Sequence, residues 1–123
     1  MLNFNSFLVF SDNTKHLVEF YKKIFQVDPD WTGGDFTGFR VGDGEITFGT
    51  HDKVHGKNEN PERIMFNLET EDVKGEFERI RELVAANVIK EPYQPEEEPD
   101  IWIATFSDPD GNYFQLSSPY LKK

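Results

Sequence analysis

Apolar residues recur along this chain in two patterns that alternate. Phe4 to Phe10 is a short apolar run of strand length, and Ser11, Asp12 and Asn13 follow it with side chains suited to capping a helix. Leu17, Phe20 or Tyr21, and Ile24 then recur at spacings of three and four, with Lys15, Glu19, Lys22 and Lys23 between them. That spacing predicts an amphipathic helix over Thr14 to Phe25. Pro29 and the Gly33-Gly34 pair break the chain before two strand-like runs, Phe36 to Val41 and Glu45 to Thr50, which Gly42-Asp43-Gly44 joins as a hairpin. From His51 to Pro61 the sequence is polar and unpatterned, as a surface crossing is.

After Pro61 the order repeats. Ile64, Phe66 and Leu68 alternate with Met65, Asn67 and Glu69, the signature of a half-buried strand. Asp72 is placed to cap a second helix, predicted over Val73 to Asn87, whose Val73, Phe77, Ile80 and Val84 are spaced four, three and four. Val88 to Tyr93 reads as a strand, and Pro92, Pro95 and Pro99 force an irregular acidic loop through QPEEEPD. The chain closes on FSDPDGNYFQLSS, residues Phe106 to Ser118, a tight hairpin between IWIATFS and YFQLS. In it Asp108 and Asp110 can bond their own backbone, Pro109 presets a turn and Gly111 supplies a positive φ. Each half therefore reads strand, helix, then about three strands, with the centre near Asn60. The prediction is an α+β fold of two βαβββ modules, residues 1–60 and 61–123.

Two such halves, VEFYKKIF on the first helix, MFNLETEDV entering the second, and the closing DPDGNYFQL resemble the vicinal oxygen chelate superfamily over essentially the whole chain. That superfamily includes glyoxalase I, extradiol dioxygenases, fosfomycin-modifying transferases and bleomycin-binding resistance proteins. The resemblance implies curled mixed sheets with helices outside, a concave inner face that holds a ligand, and usually a homodimer whose contact helps form the ligand groove. It also implies four inward strand positions at which the enzymes of the family hold a metal. In this chain they fall at Asn5 or Ser6, at Thr47 or Gly49, at Met65, and at Gln115. A divalent ion needs several anionic or imidazole donors to replace its hydration shell, and a thioether and a carboxamide do not supply them. The expectation is no metal, no cofactor and no catalytic residue. His51 and His55 in HDKVH are four apart, but in a stretch without helical periodicity, so they read as solvated loop residues. There is no glycine-rich phosphate loop and no GxSxG elbow.

What remains is aromatic. Phe, Tyr and Trp make up 15% of the chain, and their flat faces can take planar or cationic ligands by stacking and cation–π contact, although most aromatics in a small domain are simply core. The candidate ligand-binding set is Trp31 and Trp102, each beside a loop, Phe39, and Asn67, Glu69 and Gln115 as hydrogen-bonding groups on inward strand positions. Arg40 is either an anion contact or a surface charge, and PEEEPD beside Trp102 is either a solvated loop or an acidic rim that draws in a cation.

Charge and composition narrow the partners. With 13 basic and 23 acidic residues the net charge is −10, which repels nucleic acid and anionic membranes. There is no cysteine, and MLNFNSFLVF carries neither a basic flank nor a long apolar run, so the expectation is a cytoplasmic protein without a signal peptide or membrane span. The leading functional expectation is a protein that binds a small aromatic or cationic molecule in a dimeric groove without metal catalysis. Two alternatives are a lyase or dioxygenase of the same superfamily with a displaced metal site, and a non-catalytic accessory or assembly protein.

Overall fold

Leu17, Tyr21 and Ile24 are the buried stripe of α1 (Thr14–Phe25), as their spacing requires. The computed structural model describes residues 1–84 and 87–120, and it divides into two units, Met1–Gly56 and Lys57–Lys123. In the first, β1 (Phe7–Ser11), β2 (Trp31–Gly33), β3 (Phe36–Val41) and β4 (Gly44–Thr50) form a sheet ordered β1-β4-β3-β2. Its β1 runs parallel to β4, and the other pairs are antiparallel. Tyr21 carries the helix onto this sheet. Its ring stacks on Phe48 at 5.0 Å and on Phe25 at 5.4 Å, and Phe25 meets the edge of Phe39 at 5.5 Å. Each such ring, taken out of water, contributes roughly 2–3 kcal/mol.

The helix ends are held differently from what the sequence suggests. Asn13, at the N-cap, makes no side-chain bond to the first turn. Instead Ser11 Oγ accepts from Asn13 N at 2.9 Å, and Asp12 Oδ2 accepts from Gly56 N at 2.7 Å. At the far end Gln26 adopts φ 58° and donates its N–H to the Lys22 carbonyl, while Lys22 and Lys23 complement the helix dipole.

The second unit repeats the plan with β5 (Phe66–Glu69), α2 (Val73–Val84), β6 (Asn87–Tyr93), β7 (Ile103–Ser107) and β8 (Tyr113–Ser117), ordered β5-β8-β7-β6. Its core is a run of stacked rings. Phe77 of α2 lies on Phe106 at 5.1 Å, Phe106 on Phe114 at 5.5 Å, and Phe114 on Phe66 at 5.9 Å. Asp72 caps α2 through Oδ1, which accepts from Gly75 N at 3.0 Å. The expected extension of this helix to Asn87 is not found, because Asn87 already begins β6. Residues 85 and 86 lie outside the described set. Ile64, expected in the strand before α2, precedes β5 and is 63% exposed.

The closing hairpin is organised by one carboxylate. Asp108 is 4% exposed; its Oδ1 accepts from Asp110 N at 2.9 Å and Asn112 N at 3.0 Å, and its Oδ2 accepts from Asn112 Nδ2 at 3.0 Å. Gly111, at φ 83°, completes the turn. Asn58 is tied to the same turn by its N–H to the Asp110 carbonyl and its Nδ2 to Asn112 Oδ1.

Candidate functional site

Each sheet has one face under its helix and one face turned away, and the second, open face is where the chemistry-bearing side chains gather. In the first unit Phe39, Phe48 and Ile46 point to α1, so strand alternation places Leu8, Phe10, Phe36, Gly38, Thr47 and Gly49 on the open face. Cross-strand register lines up Leu8, Thr47, Gly38 and Trp31 in one row.

Two glycines shape this surface. A Cβ on Gly38 would stand 2.1 Å from Trp31 Nε1, and one on Gly49 would stand 2.4 Å from Phe36 Cε1. The indole and the phenyl ring thus lie against bare backbone that any other residue would cover. Phe10 meets Phe36 edge-on at 6.3 Å and His51 at 5.4 Å. Trp31, 43% exposed, donates its Nε1–H to Glu45 Oε1 at 3.0 Å. Glu45 Oε2 in turn faces Arg40 Nε at 3.5 Å, and Arg40 also donates to the Asp43 carbonyl. The two readings of Arg40 are thereby resolved towards an internal pair across β3 and β4.

In the second unit the rings of Phe66, Phe106 and Phe114 face α2. The open face is consequently polar. One cross-strand row is Asn67, Gln115, Thr105 and Lys90, and the next is Glu69, Ser117, Ile103 and Tyr93. Gln115 Nε2 donates to Thr105 Oγ1 at 3.3 Å, and Asn67 Nδ2 donates to Tyr120 Oη at 3.0 Å. Ser117 Oγ is buried and has no hydrogen-bond partner among the described residues.

The six candidate residues therefore separate. Asn67, Glu69 and Gln115 share one open face, and Trp31 stands on the open face of the other unit. Phe39 does not: it is fully buried under α1, where its ring packs on Phe25 and Phe48. Nor does Trp102, whose indole lies on the α2 side with Lys74 Nζ 3.8 Å above its ring. Its cation–π surface already holds the protein's own ammonium group, a contact of about 0.5–1 kcal/mol at an exposed site. Alternation over Ala104 and Phe106 is the signal that places Trp102 on the helix side. Phe10 and Phe36 lie outside the candidate set, and the same alternation finds them; Lys90 also lies outside it and reaches the open face through the register shift between Val88 and Lys90, which alternation does not reveal.

The donor set does not suit the metal implied by the resemblance. Asn5 and Ser6 precede β1, Met65 precedes β5, and Gln115, whose Nε2 donates to Thr105, offers only a neutral carboxamide oxygen. At Gly49 the space a carboxylate side chain needs is filled by the Phe36 ring. Among the described residues no group of three or more His, Asp or Glu is placed to hold an ion. His51 Nδ1 accepts from Lys53 N at 3.1 Å and stands 3.2 Å from Asp52 Oδ1, a local loop arrangement. No helix of the described residues is long and apolar enough to cross a membrane.

Residues 7–117 match the family model described as a glyoxalase-like domain. No curated protein is matched by sequence. Among solved structures, a glyoxalase/bleomycin resistance protein/dioxygenase family enzyme from Burkholderia phytofirmans is similar at 18% identity and a TM-score of 0.72, covering 93% of this chain and 96% of that one. A genomically encoded fosfomycin resistance protein from Listeria monocytogenes has 21% identity and a TM-score of 0.65, covering 98% and 94%. A lactoylglutathione lyase from Agrobacterium tumefaciens has 15% identity and a TM-score of 0.72, covering 94% and 92%. At these identities the likeness is one of fold.

Proposed function

This chain belongs to the glyoxalase-like domain family, in the vicinal oxygen chelate superfamily, and from that premise we propose that it binds a small planar organic molecule without a metal ion. The observation that carries the reading is the Phe36 ring lying over Gly49. At Gly49, one of the two positions, with Thr47, where the resemblance puts a metal ligand, this chain presents an aromatic surface, continued by Phe10 and by Trp31. Aromatic faces stack on planar groups with about 0.5–1.5 kcal/mol beyond the area they bury. The expected preference for a cation loses its main support, because the indole next to the acidic loop is Trp102, which Lys74 covers. A lyase or dioxygenase reading requires a donor set that Met65, Gln115 and Gly49 do not provide. A homodimer is part of the proposal, since isolated domains seldom leave a contiguous apolar face such as Leu8, Phe10 and Phe36 in water.

The test uses protein purified without chelators or an affinity tag. Elemental analysis is expected to find well under one divalent ion per chain, sedimentation to give twice the chain mass, and 1-naphthamide to quench tryptophan fluorescence on titration. A full equivalent of metal would overturn the metal-free reading, and failure of any planar aromatic to bind better than millimolar would overturn the ligand reading.

A further inference from the structure

We infer that the open face of the second unit receives an oxyanion, a carboxylate or phosphate carried by a small organic molecule, at Lys90. The inference rests on the reading of the chain as a small-molecule binder and concerns the second unit alone. Lys90 is the one basic residue in the four strands FNLE, NVIKEPY, IATFS and YFQLS. Register aligns it on the open face with Thr105, Gln115 and Asn67, one residue from each strand.

Its surroundings leave the ammonium available. Lys90 Nζ lies 5.1 Å from the ring centre of Tyr93, which steers it along the sheet, and no carboxylate among the described residues forms an ion pair with it. Thr105, 6% exposed, accepts a bond from Gln115 Nε2 and keeps its own hydroxyl proton to donate. In the neighbouring row the buried Ser117 hydroxyl has no partner among the described residues and keeps a proton to donate. Of the two acidic residues in these strands, Glu91 follows Lys90 on β6, and register places Glu69 on this face, on β5 at the opposite edge of the sheet. With strands about 4.8 Å apart that is roughly 14 Å from Lys90. Donors therefore collect towards β6 and β7, and the carboxylate stands at the far edge. A molecule with an anionic end is oriented by such a strip, and a protein of net charge −10 needs a local cation to retain it.

Three probes of one ring system test this: 1-naphthoate, 1-naphthyl phosphate and neutral 1-naphthamide, titrated against the full chain by amide shifts at Lys90, Thr105 and Gln115. The expected result is that at least one anionic probe binds about tenfold more tightly than the amide, the equivalent of 1.4 kcal/mol. The tighter of the two anions distinguishes carboxylate from phosphate as the recognised group. In Lys90→Met, an exposed change outside the core, the preference of the anionic probes over naphthamide should vanish; Thr105→Val should reduce it in part. Equal binding of all three probes, or a preference that survives Lys90→Met, overturns the inference and leaves the small-molecule reading standing. If none of the probes binds, both fall.

Discussion

Replacing Gly49 with Ala isolates the contact on which the aromatic surface depends. The added Cβ would stand 2.4 Å from Phe36 Cε1 and 2.5 Å from Cδ1, against 3.4–4 Å for ordinary contact, so the ring must retreat by about 1 Å or swing away. Holding it in place carries an overpacking cost of about 1–3 kcal/mol. Swinging it out sacrifices its edge contact with Phe10, worth about 1 kcal/mol. Against either stands the gain of Ala over Gly in a strand, about 0.5–1 kcal/mol. The net expectation is a loss of between about 0 and 2 kcal/mol, small if the ring swings out and larger if it is held, or up to several degrees in Tm for a chain of this size. In a Phe36→Ala background the clash is gone, and the same glycine substitution should be neutral or stabilising by up to about 1 kcal/mol. Urea unfolding of the wild type, the two single variants and the double variant gives a coupling energy, expected to be about 2 kcal/mol. If the two changes add to within about 0.5 kcal/mol, the ring does not rest on Gly49 and the argument for a filled metal position collapses.

Two further outcomes follow from the geometry. Asp108→Ala strips the closing turn of an acceptor for three donors, and should lower stability by roughly 2–4 kcal/mol in chemical denaturation, with Asp108→Asn recovering part; a loss below about 0.5 kcal/mol would show that the turn is held by its backbone alone. Trp102→Ala should leave naphthamide affinity unchanged, whereas Trp31→Ala should weaken it by about fivefold or more, since one indole lies on the helix side and the other on an open face; the reverse ranking would return the site to Trp102.

Periodicity carried the architecture where an element has one buried face. Leu17, Tyr21 and Ile24 on α1, and Phe66 and Leu68 on β5, show their role in their spacing alone. β2 escaped notice because three residues, all exposed, offer no alternation to read. The candidate site was legible only in part for a different reason. Sequence alternation tells which residues share a face but not which face the helix covers, so it does not separate Phe39 and Trp102, which point towards the helices, from ligand contacts. The Phe36 placement needed that one additional fact, and the Lys90 placement needed also the register shifts that flank it on β6. The role of Gly49 needed more, because a glycine that supports a neighbouring ring has the same letter as one that makes a turn.

The parallel pairing of β1 with β4 and of β5 with β8 also bears on how the chain reaches this structure. Phe7 meets Ile46 and Phe66 meets Phe114, so each pairing closes a loop of roughly forty to fifty residues, whereas the β3–β4 and β7–β8 hairpins close over a few. Loop-closure entropy favours the hairpins and helices first, and the leading strand of each unit docks onto an assembled surface afterwards. Until it does, β4 and β8 are edge strands with unsatisfied backbone groups. The most exposed moment in the life of this protein is therefore the interval before β1 and β5 arrive, and aggregation on refolding should begin at β4 and β8.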